Sequence, residues 1–177
     1  MKIKESQMSD LVHYQMFING KWQEAGDNKR FNSINPATEQ PWCSIPESTE
    51  DDINSAVETA HTAFASGPWS RYTPTERGRY LRRLAELLNE KSEHLGQIET
   101  IDTGKMLKET RWQAKYIAEF FHFYAGCADK ISGQTLPIDK PDMITMTLRE
   151  PLGVIAAVVP WNSQLFLVAV KIGPALA

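Results

Sequence analysis

The chain has 177 residues, about one domain's worth, and its 42% hydrophobic and 23% charged residues exclude a disordered or low-complexity chain. With 19 Lys and Arg against 22 Asp and Glu the net charge is -3, so no basic excess exists to displace counterions from a nucleic acid. No uncharged apolar run reaches the roughly 18 residues a membrane helix needs; the nearest approach, ending at Val170, is broken by Pro160, Asn162 and Gln164.

Residues 1–15 are mixed polar, lack the apolar centre of a signal peptide, and are expected to be a flexible tail. Asn19-Gly20, flanked by Phe17 and Trp22, predicts a tight hairpin, because both turn residues tolerate positive φ. Ile34 falls in a short strand that ends in an Asn35-Pro36 turn. Trp42, Cys43 and Ile45 form another before Pro46. Cys43 and Cys127 are too few for a disulfide framework, match no metal spacing, and fit a reducing cytoplasm. Thr49 and Asp52 pair as a capping box ahead of a helix with an Ile53, Val57, Ala60, Phe64 stripe. Thr73-Pro74-Thr75-Glu76 starts a second helix, lined by Leu81, Leu84, Leu88, Leu95 and Ile98, which runs down to Asp102-Thr103-Gly104. A third runs from about Lys108 to Lys130 and carries Trp112, Tyr116, Phe120 and Tyr124 on one face.

Residues 143–148 then alternate in the manner of a strand. Residues 154–159 are wholly apolar, rich in valine and without alternation, the pattern of a strand buried on both faces of a parallel sheet. A helix is expected from Ser163 onward. A parallel strand needs neighbours reached by crossovers of a dozen or more residues, so the chain reads as incomplete. The alternative is an antiparallel strand packed centrally against the earlier hairpins.

The segments "FINGKW", "INPAT", "AFASGPWSRYTPTERGRYLRRLAELL", "ETIDTGK", "FYAGCADKISGQTLP", "REPLGVIAAVVPWN" and "KIGPALA" resemble, in order and spacing, the N-terminal portion of the aldehyde dehydrogenase superfamily. The resemblance covers the chain from Met16 to Ala177. It implies an α/β fold in which β-hairpins and long helices lead into the first strand of a Rossmann-like parallel sheet, incomplete as given. It divides the chain into the tail at 1–15, hairpins and helices of the cofactor-binding domain at 16–133, an oligomerisation arm at 134–150, and the first strand and helix of the nucleotide-binding sheet at 151–177.

The activity implied is oxidation of a small aldehyde to an acid with NAD or NADP, through a cysteine thiohemiacetal and thioester. The family's nucleophilic cysteine and general-base glutamate belong to later segments, so the chain alone is expected to be inactive. The resemblance also implies a homodimer or homotetramer in the cytoplasm. Two other functions stay open: an acylating or reductive relative, and a non-catalytic oligomerisation module.

Asn162 matches the family's oxyanion asparagine, whose amide donates to a developing negative charge without itself ionising. Alternatively it only caps the following helix. Val158, Val159, Pro160, Trp161 and Asn162 match the loop behind the cofactor. Lys171 matches a proton-relay lysine in some relatives, or else simply reaches solvent. Trp112, Tyr116, Ser163, Leu167 and Val170 fall where the family lines its aldehyde tunnel, although an aromatic core stripe would give Trp112 and Tyr116 the same spacing. Asp102, with the backbones of Ser33 and Ile34, matches a monovalent-cation site of some relatives, or else is a carboxylate near a helix C-terminus that pairs with solvent or Lys105. One departure stands out: Ser163-Gln164 occupies positions where relatives carry a bulky residue and a proline.

Overall fold

A computed structural model describes residues 11–177. Residues 1–10, most of the expected tail, lie outside the described residues. The remainder of that tail is tied down: Val12–His13 form β1, parallel to Cys43 and Ser44, and the Tyr14 N–H donates to the Ser44 carbonyl at 3.0 Å. Arg30 fixes this corner, with its guanidinium donating to the carbonyls of Tyr14 and Ser44.

The predicted hairpin is β2 (Met16–Ile18) against β3 (Lys21–Gln23), with Asn19 and Gly20 at φ 53 and 72°. Phe17 and Trp22 face each other across it, ring centroids 4.8 Å apart, a cross-strand aromatic pair of the kind that steadies short ladders. β4 (Arg30–Asn35) and β5 (Gln40–Pro46) pair antiparallel around an Asn35 turn, and β1 completes a three-stranded sheet of order β1-β5-β4. The β4–β5 register slips between Ser33 and Ile34.

Helix α1 (Glu50–Ser66) and helix α2 (Pro74–Glu90) both begin with the complete capping boxes read from the sequence, and Pro74 occupies the first turn of α2. The helix expected to run on to Asp102 is in fact two. Lys91 leaves helical geometry (φ -96°, ψ 4°), and α3 (Ser92–Thr103) follows until Gly104, in the left-handed region, stops it. Ser92 and Gly96 are buried on α3, and Gly96 lies against the Thr110–Arg111 backbone of α4 (Leu107–Cys127). The leucine stripe continues across the bend, so its periodicity carries no sign of the change.

The core is a layer of α2, α4 and α5 (Gln164–Leu176). Leu81 and Ala85 meet Ile117, Ala118, Phe121 and Ala125, and Ala169 closes the far side. Fully buried Leu81 and Ile117 each contribute about 1.5–3 kcal/mol of apolar burial. The inward face of α4 is therefore Thr110, Ala114, Ile117, Ala118, Phe121 and Ala125, and the aromatic stripe lies outside it: Trp112 and Tyr116 are exposed, Phe120 and Tyr124 half-buried. The α1 stripe is open too, with Ile53, Val57 and Phe64 all exposed.

Beyond a single 3-10 turn at Ala128–Lys130, β6 (Thr135–Leu136) and β7 (Thr145–Met146) form an exposed two-stranded hairpin. The buried strand expected at residues 154–159 is absent. That segment pairs with no described strand, and Val154, Ile155 and Val158 are exposed. An apolar run becomes a strand only when neighbours take up its backbone groups, and no described element lies alongside to do so. The Rossmann-like sheet is accordingly not present among the described residues, and the antiparallel alternative is not realised either.

Candidate active site

Asn162 lies in a 3-10 turn, Trp161–Ser163, between the open apolar segment and α5. Neither the turn nor α5 has a side-chain cap: the N-cap residues are Pro160 and Ser163, and neither makes a capping bond. The helix-cap reading of Asn162 is thereby excluded. Its side chain is exposed and has no hydrogen-bond partner among the described residues. An amide in that state is available to a ligand oxygen. Val158, Pro160 and Trp161 are exposed beside it, with Val159 half-buried, and together they present an open apolar surface.

The residues next to Asn162 are tied to the end of α3. Gln164 Nε2 donates to Asp102 Oδ2 at 2.6 Å. Asp102 Oδ1 accepts from Ser33 Oγ at 2.5 Å and Trp42 Nε1 at 3.1 Å. Lys105 Nζ donates to Ser163 Oγ, and also to Gln113 Oε1 at 3.1 Å and Glu99 Oε1 at 3.4 Å. Glu99 is buried, its Oε2 has no partner, and burial raises its carboxyl above the ordinary value despite the opposing charge of Lys105. Reading the sequence alone missed Glu99 and Gln113 and offered Lys105 only as a partner of Asp102, whereas it bonds Glu99, Gln113 and Ser163. A usable signal was present: polar Ser163 and Gln164 at the start of an apolar helix require partners if they are covered.

At the expected cation site, which would use the backbones of Ser33 and Ile34, Asp102 is bonded to the Ser33 hydroxyl and the register slip falls between the two backbone positions. Asp102 already accepts three side-chain donors, so an ion here would compete with Ser33, Trp42 and Gln164. Among the described residues no group of three or more His, Cys, Asp or Glu side chains gathers elsewhere.

Trp112 and Tyr116 stack with centroids 5.1 Å apart and planes 10° from parallel, and Tyr116 lies 6.2 Å from Phe166 of α5. Leu167 and Val170 are half-buried on α5, but the ring that reaches the stack is Phe166, which had not been singled out. Lys171 is exposed and unpaired among the described residues. Cys43 is buried, and burial followed by the nearby Asp102 charge raises its thiol, the opposite of what a nucleophile requires. No helix among the described residues is long and apolar enough to cross a membrane.

The chain is 50% identical over 94% of its length to (Z)-2-((N-methylformamido)methylene)-5-hydroxybutyrolactone dehydrogenase of Acinetobacter baylyi, and 38% identical over 97% to mitochondrial aldehyde dehydrogenase of Homo sapiens. In each case it spans 34% of the relative's length. Among solved structures it superposes on an aldehyde dehydrogenase from Bacillus cereus with TM-score 0.89 and 39% identity, covering 93% of this chain and 33% of that one. It also superposes on betaine aldehyde dehydrogenase from Staphylococcus aureus, determined in complex with NAD+, with TM-score 0.88, 34% identity and the same coverage. Residues 22–177 match the model of the aldehyde dehydrogenase family, and the chain belongs to that family.

Proposed function

We propose that this chain is the N-terminal portion of a longer NAD(P)-dependent aldehyde dehydrogenase and that Asn162 supplies the side-chain donor of its oxyanion hole. The observation that carries the reading is the free amide of Asn162, exposed at the end of an apolar segment and unused as a helix cap. That the relatives are about three times as long supports the N-terminal assignment.

Val158, Val159, Pro160 and Trp161 fit one wall of a nicotinamide cofactor site, since their open apolar surface suits a flat ring and adjoins the Asn162 amide. The cofactor, when bound, would accept hydride. Asn162 would donate to the carbonyl oxygen as it becomes negative, in a site where a preorganised donor costs nothing to reorient. Stacked Trp112 and Tyr116, with Phe166, would flank the substrate approach, with Leu167 and Val170 behind. Lys171 would serve the proton relay from its exposed position on α5. Residues 16–133 would belong to the cofactor domain and residues 151–177 to the nucleotide-binding sheet. The exposed hairpin within 134–150 would reach a second subunit of a cytoplasmic homodimer or homotetramer.

The aldehyde is proposed to be small and polar. A 5-hydroxybutyrolactone, of the kind named for the Acinetobacter relative, is the ring-closed form of an aldehyde acid. Ser163, beside Asn162, adds little bulk there.

The test is made in the full-length enzyme. Asn162→Ala should lower kcat about a hundredfold with KM much less affected, and Asn162→Asp should be worse because a carboxylate repels the oxyanion. An active Asp variant would sink the oxyanion role. In the same assay, a higher kcat/KM for an alkanal than for an oxo acid of equal length would overturn the substrate class.

A further inference from the structure

Asn162 is held by its neighbours rather than by its own bonds. Preceding it, Pro160 fixes its own φ. Following it, Ser163 and Gln164 carry no such restraint, and Ser163 takes up φ -161° and ψ 55° before α5 begins. Two side-chain bonds span this unrestrained stretch. Lys105 Nζ donates to Ser163 Oγ, and Gln164 Nε2 donates to Asp102 Oδ2 at 2.6 Å. Among the described residues they are the side-chain hydrogen bonds that the turn and the first residue of α5 make to the rest of the molecule.

Both anchors are themselves immobilised. Asp102 is held by Ser33 and Trp42, from β4 and β5, so one end of the latch rests on the three-stranded sheet. Lys105 sits over buried Glu99 at 3.4 Å and against Gln113 of α4 at 3.1 Å, so the other end rests on the α3–α4 pair. Each latch bond has one charged partner, the stronger kind of hydrogen bond. The side chains of residues 163 and 164 thus grip two different supports, and the backbone between Pro160 and α5 is fixed at both ends.

We propose that Asp102 and Lys105 are positioning residues, which through Gln164 and Ser163 hold the turn so that the Asn162 amide points outward at its ligand oxygen. The inference rests on the oxyanion reading of Asn162. Neither residue touches a reacting atom. Their effect is on the direction of the amide, where a displacement of about 1 Å can cost on the order of a hundredfold in rate.

A positioning residue acts only through the group it positions, and a double-mutant cycle reads this directly. In the full-length enzyme, Gln164→Met and Lys105→Met should each lower kcat by about ten- to a hundredfold, with aldehyde and cofactor KM changing by less than about threefold. Lys105→Arg should recover most of the loss. Because Lys105→Met strands the Glu99 carboxylate and can compromise folding, Ser163→Ala provides the second route: it cuts the same bond, leaves the Lys105–Glu99 pair intact, and should lower kcat in the same way. When any of these is added to Asn162→Ala, the further loss should fall to about twofold or less. Full single-variant losses in the Asn162→Ala background would overturn the proposal, as would unchanged kcat in Gln164→Met and Ser163→Ala while Asn162→Ala is slow. If Asn162→Ala itself keeps its rate, the oxyanion reading falls first and takes this one with it.

Discussion

Glu99 shows what the latch costs. Its carboxylate is buried under Lys105 with one oxygen unpartnered, and desolvation raises its pKa above the ordinary 4.5. A carboxyl whose folded value is raised holds its proton more tightly in the native state. Its contribution is therefore fully present below the unfolded value and is lost as pH rises from about 4.5 through the folded value. Glu99→Gln keeps the shape and removes the titration. The variant should gain stability relative to the parent as pH goes from 4 to 7, read as the difference in urea midpoints. A pH-independent difference would contradict the assignment. At this scale the sequence was legible where one residue's chemistry was distinctive. Asn162 was singled out by the resemblance of the segment around it, and the structure leaves it exposed and unused as a cap. The partners of its neighbours could not be named, because Asp102 and Lys105 precede Gln164 and Ser163 by 62 and 58 positions and no local pattern links them.

Among the elements, starts were easier to read than ends or faces. Thr49 with Asp52 and Thr73 with Glu76 carry their capping chemistry within four residues, so both helix starts were visible. The bend at Lys91 was not, since what rewards it is contact between α3 and α4. Gly96 is the key to that contact: a Cβ built there would lie 2.9 Å from the Arg111 backbone, which cannot yield as a flexible side chain would. Gly126, in α4, faces open space, with nothing within 4 Å of a built Cβ. Helix propensity alone predicts that alanine stabilises both sites by about 1 kcal/mol. Packing predicts opposite signs. Gly96→Ala should destabilise by about 1–3 kcal/mol from overpacking, whereas Gly126→Ala should stabilise by about 0.5–1 kcal/mol. Chemical denaturation of the two variants measures this, and a stabilised Gly96→Ala would refute the close helix approach.

Across the whole molecule, the apolar faces divide into those the chain covers and those it leaves open, and the sequence could not tell them apart. The leucines of α2 and the aromatics of α4 have similar periodicity, yet Leu81 is 1% exposed and Trp112 61%. Periodicity marks an amphipathic face and says nothing of what lies against it. The run at 154–159 failed as a strand for the same reason: it depends on neighbours that the described residues do not provide. The exposed apolar side chains concentrate between Ile138 and Trp161, with Ile144 79%, Leu148 75%, Leu152 92% and Val158 86% exposed. A hairpin this open and apolar is of the kind that pairs with another chain. The chain should therefore associate in a concentration-dependent manner, seen as a rising weight-average mass in sedimentation velocity from low to high micromolar. Ile144→Lys with Leu148→Lys should reduce association and leave the melting temperature nearly unchanged, because neither side chain contributes to the α2–α4–α5 core. If association persists after those changes but falls with Val158→Lys, the sticky surface is the unpaired segment rather than the hairpin arm. A single monomeric species across the whole concentration range would show that neither surface drives contact between copies.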